Sequence, residues 1–258
     1  MRFIRYQLGK EEPRNGWIFE DKIGLIEGST FDEFRRLEAD IPLERARLLA
    51  PVVPSKVIAV GRNYVEHARE HDAEVPEIPL IFLKPPSSVI ASGEAIVLPP
   101  QSGQVEHEAE LAVVIGRRAR WLNPQTALDY VFGYTIGNDV TARDLQRQDG
   151  QWTRSKGFDT FCPLGPWIET DFDAADALIT CRVDSELRQM ASTREMVFTV
   201  RQLLVFISSV MTLLPGDVIL TGTPAGVGSL LPGNQVEISI EGIGGLQNPV
   251  RQETGEPG

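Results

Sequence analysis

Short β-type segments separated by turn residues run through most of this chain and limit the folds open to it. Each segment is apolar throughout or alternates between apolar and polar residues, as strands do. After residue 50 the predicted strands are VIAVG (57–61), IPLIFLKP (78–85), AIVLP (95–99), AELAVVIG (109–116), FGYTIGND (132–139), LITCRVD (178–184), DVILTGTP (217–224) and QVEISIEGIG (235–244). Because predicted helices are fewer, the pattern indicates a mostly β architecture with helical decoration, an α+β fold, rather than a doubly wound sheet.

The first 50 residues are predicted to form a small β-rich domain. Stretches such as RFIRYQL and WIFEDKIGLIEG alternate there, and EEPRNG breaks them in the manner of a hairpin. APVVPSK (50–56) has two prolines in seven residues and suits a boundary. We therefore expect one domain over 1–50 and a larger one over 51–258, whose polar tail RQETGEPG frays.

One long segment has a clear helical pattern. In FTVRQLLVFISSVMTLL (198–214) the apolar residues recur at i, i+3 and i+4, and Pro215-Gly216 follows. We expect a helix over 198–214 that ends at this pair and packs its apolar face on the sheet.

Charge and composition exclude several classes of partner. The formal net charge is -11, without a clustered Lys/Arg run, so the surface would repel nucleic acid and anionic membranes. No apolar stretch approaches the roughly 20 residues that span a bilayer, and no signal sequence is recognised, so a cytoplasmic protein is expected. Cys162 and Cys181 lack metal-ligand spacing and are expected to be buried thiols.

The segment VEHEAELAVVIG (105–116) places three acids at alternating positions before an apolar run. Glu106, furthest from that run, is interpreted as an ordinary polar residue on an exposed strand face. Glu108 and Glu110 lead into the apolar strand, where burying an unpaired carboxylate costs several kcal/mol. Mg²⁺ or Mn²⁺ would offset that cost because hard cations prefer oxygen ligands. Asp139, after the strand FGYTIGN, either caps a helix or adds a third carboxylate.

The segment VGRNYVEHAREH (60–71) predicts the start of a helix, with Asn63 and Glu66 as a capping box. His67 and Glu70 then lie at i, i+3, either as a surface ion pair or as a carboxylate that orients an imidazole. His67 and His71 also match the H-x-x-E-H pattern of some zinc peptidases, a weak signal without a third ligand. The polar, proline-bearing stretch that follows would allow this helix to act as a lid.

Two further segments are candidates for substrate contact. Lys156, in WTRSKGFDTFCPLGP (152–166), is either a surface lysine or a cation for an anionic substrate in an irregular stretch. LPGDVILTGTPAGVG (214–228) ends a strand in a turn that allows close backbone approach to a ligand. It lacks the GK[ST] ending of a phosphate-binding loop, so it is not interpreted as a nucleotide site.

Six motifs in one order, from about Val57 to about Gly242, resemble the fumarylacetoacetate hydrolase family. The resemblance is to the smaller bacterial and mitochondrial members, which act as acylpyruvases, oxaloacetate decarboxylases or hydroxyheptadienedioate isomerases. It implies a mixed β-roll or sandwich catalytic domain and a homodimer. The motifs are VGRNYVEHARE, PLIFLKPPSSV, HEAELAVVIG, GYTIGNDVTARDLQ, SKGFDTFCPLGP and LLPGDVILTGTPAGVG.

The same resemblance implies a set of site residues. The implied set is Glu108, Glu110 and Asp139 as ligands of Mg²⁺ or Mn²⁺, His67 and Glu70 as a dyad on a lid helix, Lys156 as a catalytic and substrate-binding lysine, and Arg143, Gln146 and Thr223 near the substrate.

The expected activity is metal-dependent cleavage of a carbon–carbon bond in a 2-oxo or 1,3-dioxo acid, of the acylpyruvate hydrolase or oxaloacetate decarboxylase type. An alternative is isomerisation of 2-hydroxyhepta-2,4-diene-1,7-dioate or decarboxylation of 5-oxopent-3-ene-1,2,5-tricarboxylate. A hypothesis of a different class is a catalytically silent carboxylate-binding protein, which would have no need of a general base.

Overall fold

The computed structural model of this protein describes residues 1–254, and most of its regular structure is β-strand. The strands are β1 (Arg2–Gln7), β2 (Arg14–Phe19), β3 (Lys22–Gly28), β4 (Phe34–Pro42), β5 (Arg47–Leu49), β6 (Val57–Gly61), β7 (Leu80–Lys84), β8 (Val89–Ile90), β9 (Ile96–Leu98), β10 (Val105–His107), β11 (Ala109–Ile115), β12 (Val131–Asn138), β13 (Thr141–Ala142), β14 (Cys162–Glu169), β15 (Leu178–Val183), β16 (Glu186–Ser192), β17 (Val218–Leu220), β18 (Gly228–Ser229), β19 (Gln235–Ile240) and β20 (Gly244–Gln252). The helices are α1 (Val65–Glu70), α2 (Arg143–Asp149), α3 (Thr153–Lys156) and α4 (Val200–Val210). The predicted mostly β fold with helical decoration is confirmed.

A 12-stranded sheet carries the acidic motif near its middle. Its order is β4-β3-β2-β1-β14-β12-β11-β17-β6-β7, with β5 paired to β1 and β8 to β14. All of β11 is buried, as expected of a strand covered on both faces, so its apolar run needs no alternation. The placement of β11 between β12 and β17 brings the ends of three strands together, and this arrangement positions the site.

The main hydrophobic core lies between the 12-stranded sheet and a second sheet of order β16-β15-β19-β20-β9. Leu111 and Ile136 of the first sheet belong to the same buried cluster as Ile179 and Ile238 of the second. A third, 3-stranded sheet of order β13-β10-β18 lies beside the acidic motif. On its other face β11 places Ala112 and Val114 in a separate buried cluster with Val52 and Val218, so both faces of this strand are covered.

The first 50 residues form strands β1 to β5, as their alternation indicates. Through antiparallel pairing of β1 with β14, strands β1 to β4 continue the 12-stranded sheet. The division of the chain at about residue 50 stays a prediction.

The helix predicted over 198–214 is shorter than expected. It runs over Val200–Val210 and begins at Thr199, whose side chain forms a capping box with Gln202. It ends before Pro215-Gly216 because Met211 is extended and Leu213 pairs with Ala119 as an isolated bridge. Tertiary pairing therefore ends this helix, and the Pro-Gly pair lies in the following turn.

Three other local predictions are corrected. The helix α1 begins after Tyr64 without a side-chain cap, because the Asn63 side chain instead bonds Phe198 and Thr221 and Glu66 pairs with Arg69. The segment predicted as irregular after residue 156 contains β14. The tail is paired as far as Gln252, and its last residues lie outside the described range.

Both cysteines are free and buried, as predicted, and burial raises the pKa of each thiol to about 12. Among residues 1–254, none of the helices has both the length and the apolar character that a bilayer crossing requires.

Candidate metal and substrate site

Two neighbouring strands bring the predicted carboxylates together. Glu110 lies on β11, Glu108 immediately precedes it, and Asp139 immediately follows β12. Ala109 pairs with Asn138 in register, and the Asp139 N–H donates to the Glu108 carbonyl at 2.9 Å. The acidic triad, Glu108, Glu110 and Asp139, offers one oxygen each within 4.8 Å of one another, all from buried side chains. Asp139 does not cap α2, which begins after Ala142.

Cationic side chains hold two of these carboxylates. Lys156 Nζ donates to Glu108 Oε2 and Asp139 Oδ2, both at 2.7 Å. Lys84 Nζ donates to Asp139 Oδ1 at 2.6 Å, and Arg143 donates to Glu108 Oε1. Burial alone would raise the pKa of the Glu108 carboxyl, but the Lys156 and Arg143 charges hold it well below its usual range. Glu108 is therefore ionised, and each carboxylate oxygen keeps a further lone pair for a cation.

Glu110 differs because it has no ion-pair partner among residues 1–254. Its carboxylate accepts the Gly222 N–H at 2.6 Å. Gly222 has φ +98°, and a Cβ there would lie 2.7 Å from the Asn63 side chain, so only glycine allows this approach. Burial, with the Asp139 and Glu108 charges, raises the pKa of Glu110 well above its usual value. A buried carboxyl without an ion-pair partner, beside two further acidic side chains, fits a divalent cation with oxygen ligands.

The interpretation of Glu106 as an exposed polar residue is wrong. Its side chain is 8% exposed and accepts a hydrogen bond from Arg143 Nε at 2.7 Å and another from Gln104 at 2.6 Å. Arg143 also donates from Nη1 to Gln146 Oε1 at 2.6 Å. Burial would lower the pKa of Arg143, but Glu108 and Glu106 raise it, so the guanidinium stays charged. Glu106 therefore fixes Arg143 beside the triad.

A pocket of about 320 Å³ opens onto the triad. Of the predicted site residues, Glu70 is the one that is absent from the pocket wall. The predicted residues in the wall are His67, Glu108, Glu110, Asp139, Arg143, Gln146, Lys156 and Thr223, and they are joined by His71, Arg62, Arg147, Phe82 and Trp152. Burial would lower the pKa of Lys156, but Asp139 and Glu108 raise it, so this lysine contributes a positive charge.

The helix α1, here called the lid helix, carries three ligand-type side chains beside this pocket. The lid cluster, His67, Glu70 and His71, again offers one ligand atom each within 4.8 Å of one another. His67 Nδ1 lies 3.5 Å from Glu70 Oε2. Burial would raise the pKa of Glu70, but its contacts with His67 and the Gly226 N–H lower it. Burial and the Arg143 charge lower the pKa of His71.

The lid helix contacts the turn that follows β17, which contains Gly222, Thr223 and Pro224 and is here called the Gly-Thr-Pro turn. The contact is made through Gly226. The Gly226 N–H lies 3.2 Å from both carboxylate oxygens of Glu70. Gly226 has φ +97°, and a Cβ there would lie 2.1 Å from the Arg188 carbonyl oxygen, so no other residue fits. This contact fixes the Glu70 carboxylate next to His67.

Thr223 is held by a residue that the sequence did not indicate. Gln189, on β16, donates to the Thr223 hydroxyl and to the Pro224 carbonyl, both at 2.8 Å. The Thr223 hydroxyl in turn donates to the Ala109 carbonyl at 2.9 Å. Gln189 Oε1 accepts the Ala109 N–H at 3.1 Å. Thr223 therefore offers the pocket an acceptor rather than a donor.

Lys84, which contacts Asp139, and Gln189, which contacts Thr223, were not predicted as site residues from the sequence. Lys84 closes the apolar strand LIFLK and is completely buried, and a lysine at the end of such a strand was a usable signal. Gln189 gave no signal because it lies in β16, which was not predicted, and because it reaches the site only through tertiary contacts.

Comparison with known families matches almost the whole chain. Residues 56–251 match the family described as fumarylacetoacetate (FAA) hydrolase, C-terminal, and residues 1–51 match a family described as Rv2993c-like, N-terminal.

Individual proteins of known sequence or structure are also similar. A rat (Rattus norvegicus) protein named oxaloacetate tautomerase Fahd2a, mitochondrial, is 43% identical over 97% of this chain and 91% of its own. The structure of a 2-hydroxyhepta-2,4-diene-1,7-dioate isomerase from Mycobacterium marinum has a TM-score of 0.91 at 43% identity, covering 99% of this chain and 100% of that one. The structure of maleylpyruvate hydrolase from Sphingobium sp. SYK-6, in complex with manganese(II) ion and pyruvate, has a TM-score of 0.80 at 32% identity, covering 98% and 100%.

Proposed function

This chain belongs to the fumarylacetoacetate hydrolase family, and from that premise we propose that it is a Mg²⁺- or Mn²⁺-dependent enzyme that cleaves a carbon–carbon bond in a 2-oxo or 1,3-dioxo acid. The proposed reaction is the hydrolysis of an acylpyruvate or the decarboxylation of oxaloacetate. The observation that carries the proposal is the acidic triad, in which the buried Glu110 has no ion-pair partner among the described residues. The manganese in the related maleylpyruvate hydrolase structure supports the choice of metal.

The pocket suits an anionic substrate although the protein is acidic overall. Arg62, Arg143, Arg147 and Lys156 all line it and reverse the field locally. Gln146 turns its carbonyl oxygen to Arg143, so its NH₂ group remains for an oxygen of the substrate. A substrate carboxylate would therefore be bound by Gln146 together with the neighbouring cations.

The acidic triad would hold the metal, and the basic residues around it keep the carboxylates in position. A divalent cation would supply a Lewis acid that polarises the 2-oxo group and stabilises the negative charge of an enolate. Lys84 and Lys156 hold both oxygens of Asp139, so this ligand cannot rotate. Arg143 and Lys156 hold the two oxygens of Glu108 in the same way.

Glu70 is the proposed base for hydrolysis. Its contacts with His67 and the Gly226 N–H lower its pKa, and the His67 imidazole would orient it once the two groups close from their separation of 3.5 Å to hydrogen-bonding distance. Glu70 would take a proton from water as that water attacks the distal carbonyl carbon. The C3–C4 bond then breaks, its electron pair becomes an enolate on the pyruvate fragment, and protonation gives pyruvate and a carboxylic acid. In oxaloacetate the leaving fragment is carbon dioxide, so no attacking water is needed.

A second candidate function is isomerisation, because the similar proteins include an oxaloacetate tautomerase and a hydroxyheptadienedioate isomerase. An enolate formed in this pocket can be reprotonated at another carbon without bond cleavage. The same pocket would serve 2-hydroxyhepta-2,4-diene-1,7-dioate or 5-oxopent-3-ene-1,2,5-tricarboxylate. The product then depends on which carbon of the enolate lies nearest to the group that donates the proton.

A substrate panel tests these functions directly. Acetylpyruvate, oxaloacetate and hydroxyheptadienedioate are incubated with the protein and Mg²⁺ or Mn²⁺, and products are identified by NMR. We expect turnover that stops with EDTA and returns with added metal. A protein-free sample corrects for decarboxylation of oxaloacetate by the free cation. If intact, metal-loaded protein leaves the whole panel unchanged, the silent carboxylate-binding hypothesis replaces the enzymatic one.

We further propose that the protein acts as a homodimer, as its family resemblance implies. Light scattering coupled to size-exclusion chromatography measures the mass directly, and a value equal to one chain of 28.5 kDa contradicts the proposal.

A further inference from the structure

The lid cluster has the donor set of a second metal site, chemically different from the acidic triad. The triad offers oxygen ligands, which suit Mg²⁺ and Mn²⁺. The lid cluster offers two imidazole nitrogens and one carboxylate oxygen, and imidazole favours Zn²⁺ over Mg²⁺. The two sites therefore select different cations.

The local geometry brings the three donors to one face. His67, Glu70 and His71 lie at i, i+3 and i+4 along the lid helix, which are neighbouring positions on one helical face. The ring centroids of His67 and His71 are 4.8 Å apart with planes at 82°. The H-x-x-E-H pattern lacked a third ligand in the sequence, and Glu70 of the same helical turn supplies one.

An unpartnered nitrogen points independently to a ligand. The His67 side chain is 8% exposed, and its Nδ1 has no hydrogen-bond partner among residues 1–254. Its separation of 3.5 Å from Glu70 Oε2 is longer than a normal hydrogen bond. A buried polar atom without a partner is costly, and a cation between His67 and Glu70 would satisfy both groups.

We propose that His67, Glu70 and His71 form a zinc site on the lid helix and that zinc bound there inhibits the enzyme. The binding part of this inference stands on the cluster alone. The inhibition part rests on the proposed function, because zinc would occupy the carboxylate oxygen that Glu70 needs to accept a proton. It would also fix the imidazole that orients Glu70.

Binding is measured first, independently of activity. Zn²⁺ is titrated by calorimetry into protein saturated with Mg²⁺, so that the triad is already occupied. We expect one Zn²⁺ per chain, with affinity at least about 10-fold weaker in His71→Gln. Glu66→Gln is the matched control, because Glu66 is exposed on the same helix and pairs with Arg69, and it should bind zinc like the wild type.

A spectroscopic measurement keeps the test decisive if a variant folds poorly. Co²⁺ added to the Mg²⁺-saturated wild type should give visible absorption typical of nitrogen and oxygen ligation, and Zn²⁺ should abolish it. No zinc binding to the wild type, or equal affinity in His71→Gln and the wild type, overturns the site.

Inhibition is measured next with the substrate that the panel identifies. Zinc should inhibit the wild type, and a tenfold excess of Mg²⁺ should not relieve it; His71→Gln should need at least about 10-fold more zinc. Relief by Mg²⁺ would mean that the inhibiting zinc binds at the triad, and it would contradict inhibition through the lid cluster. If the protein turns over no substrate, the proposed function fails while the binding experiment still decides the zinc site.

Discussion

The acidic triad and the lid cluster are each made of three ligand-type side chains, but the fold supports them very differently. The triad comes from β11 and the end of β12, in the middle of a 12-stranded sheet. The lid cluster comes from one six-residue helix and its first following residue. Asp139 is 1% exposed in the triad, whereas the Glu70 side chain is 33% exposed in the lid cluster.

The difference fits the separate roles that we propose for the two groups. The triad carboxylates are fixed by Lys84, Lys156 and Arg143, so their arrangement is already in place before a ligand binds. The lid cluster is held through Glu70 to Gly226 and through the packing of buried His67. A weakly attached helix can open and close over a substrate, whereas the fixed carboxylates of the triad suit a cation that stays bound throughout the reaction.

The largest effect is expected from changing the triad residue without an ion-pair partner. Glu110→Gln should abolish stable binding of Mn²⁺ and lower activity by roughly 1,000-fold or more, because the Lewis acid is lost. Metal content by mass spectrometry and kcat/KM measure this. Glu106→Gln is the matched control, a buried acid four residues earlier that should keep the metal. Full metal content in Glu110→Gln contradicts the assignment.

A smaller and more selective effect is expected from the lid. Glu70→Ala should keep the metal and slow hydrolysis by about 100-fold, because the general base is removed. Decarboxylation of oxaloacetate needs no attacking water and should change less. Comparing both reactions in one preparation provides the internal control, and equal loss of both means that Glu70 does not activate water.

The next effect should come from the residue that links the two regions. Gln189→Leu should lower kcat/KM roughly 10-fold, because the Thr223 hydroxyl and the Pro224 carbonyl lose the amide that ties them to the Ala109 N–H. Gln189→Glu, which keeps an acceptor but loses the donors, distinguishes the Thr223 contact from the Ala109 contact. A double change with Thr223→Ala should be non-additive. Additive losses would show that Gln189 acts elsewhere.

The smallest effect is expected on the outer face of the lid helix. Glu66 and Arg69 pair there with side chains 64% and 68% exposed, and such pairs contribute about 0.2–1 kcal/mol. Arg69→Ala should therefore leave activity within about twofold, since the pair lies outside the pocket. Thermal unfolding and steady-state kinetics measure this. A large loss would mean that the solvent-facing pair, rather than Gly226, holds the lid.

Local pattern predicted the strands well because burial leaves a visible trace in sequence. VIAVG at 57–61 is β6, and AELAVVIG contains β11 with its ends displaced by one residue at most. Helix ends and caps were predicted less well. Asn63 makes tertiary contacts with Phe198 and Thr221 instead of capping α1, and such contacts override local propensity.

Apolar and alternating segments were enough to predict the β-rich architecture and the apolar strand behind Glu110, and the ordered motifs were enough to predict the family. Which charges meet depends on the tertiary structure, because Lys84 and Lys156 lie 55 and 17 positions from Asp139 in the sequence and become its partners only when β7, β12 and α3 converge. It also turned Glu106 from an apparent surface acid into the partner of Arg143. Side-chain chemistry is local, but the electric field at a buried site is the sum over every element that folds around it.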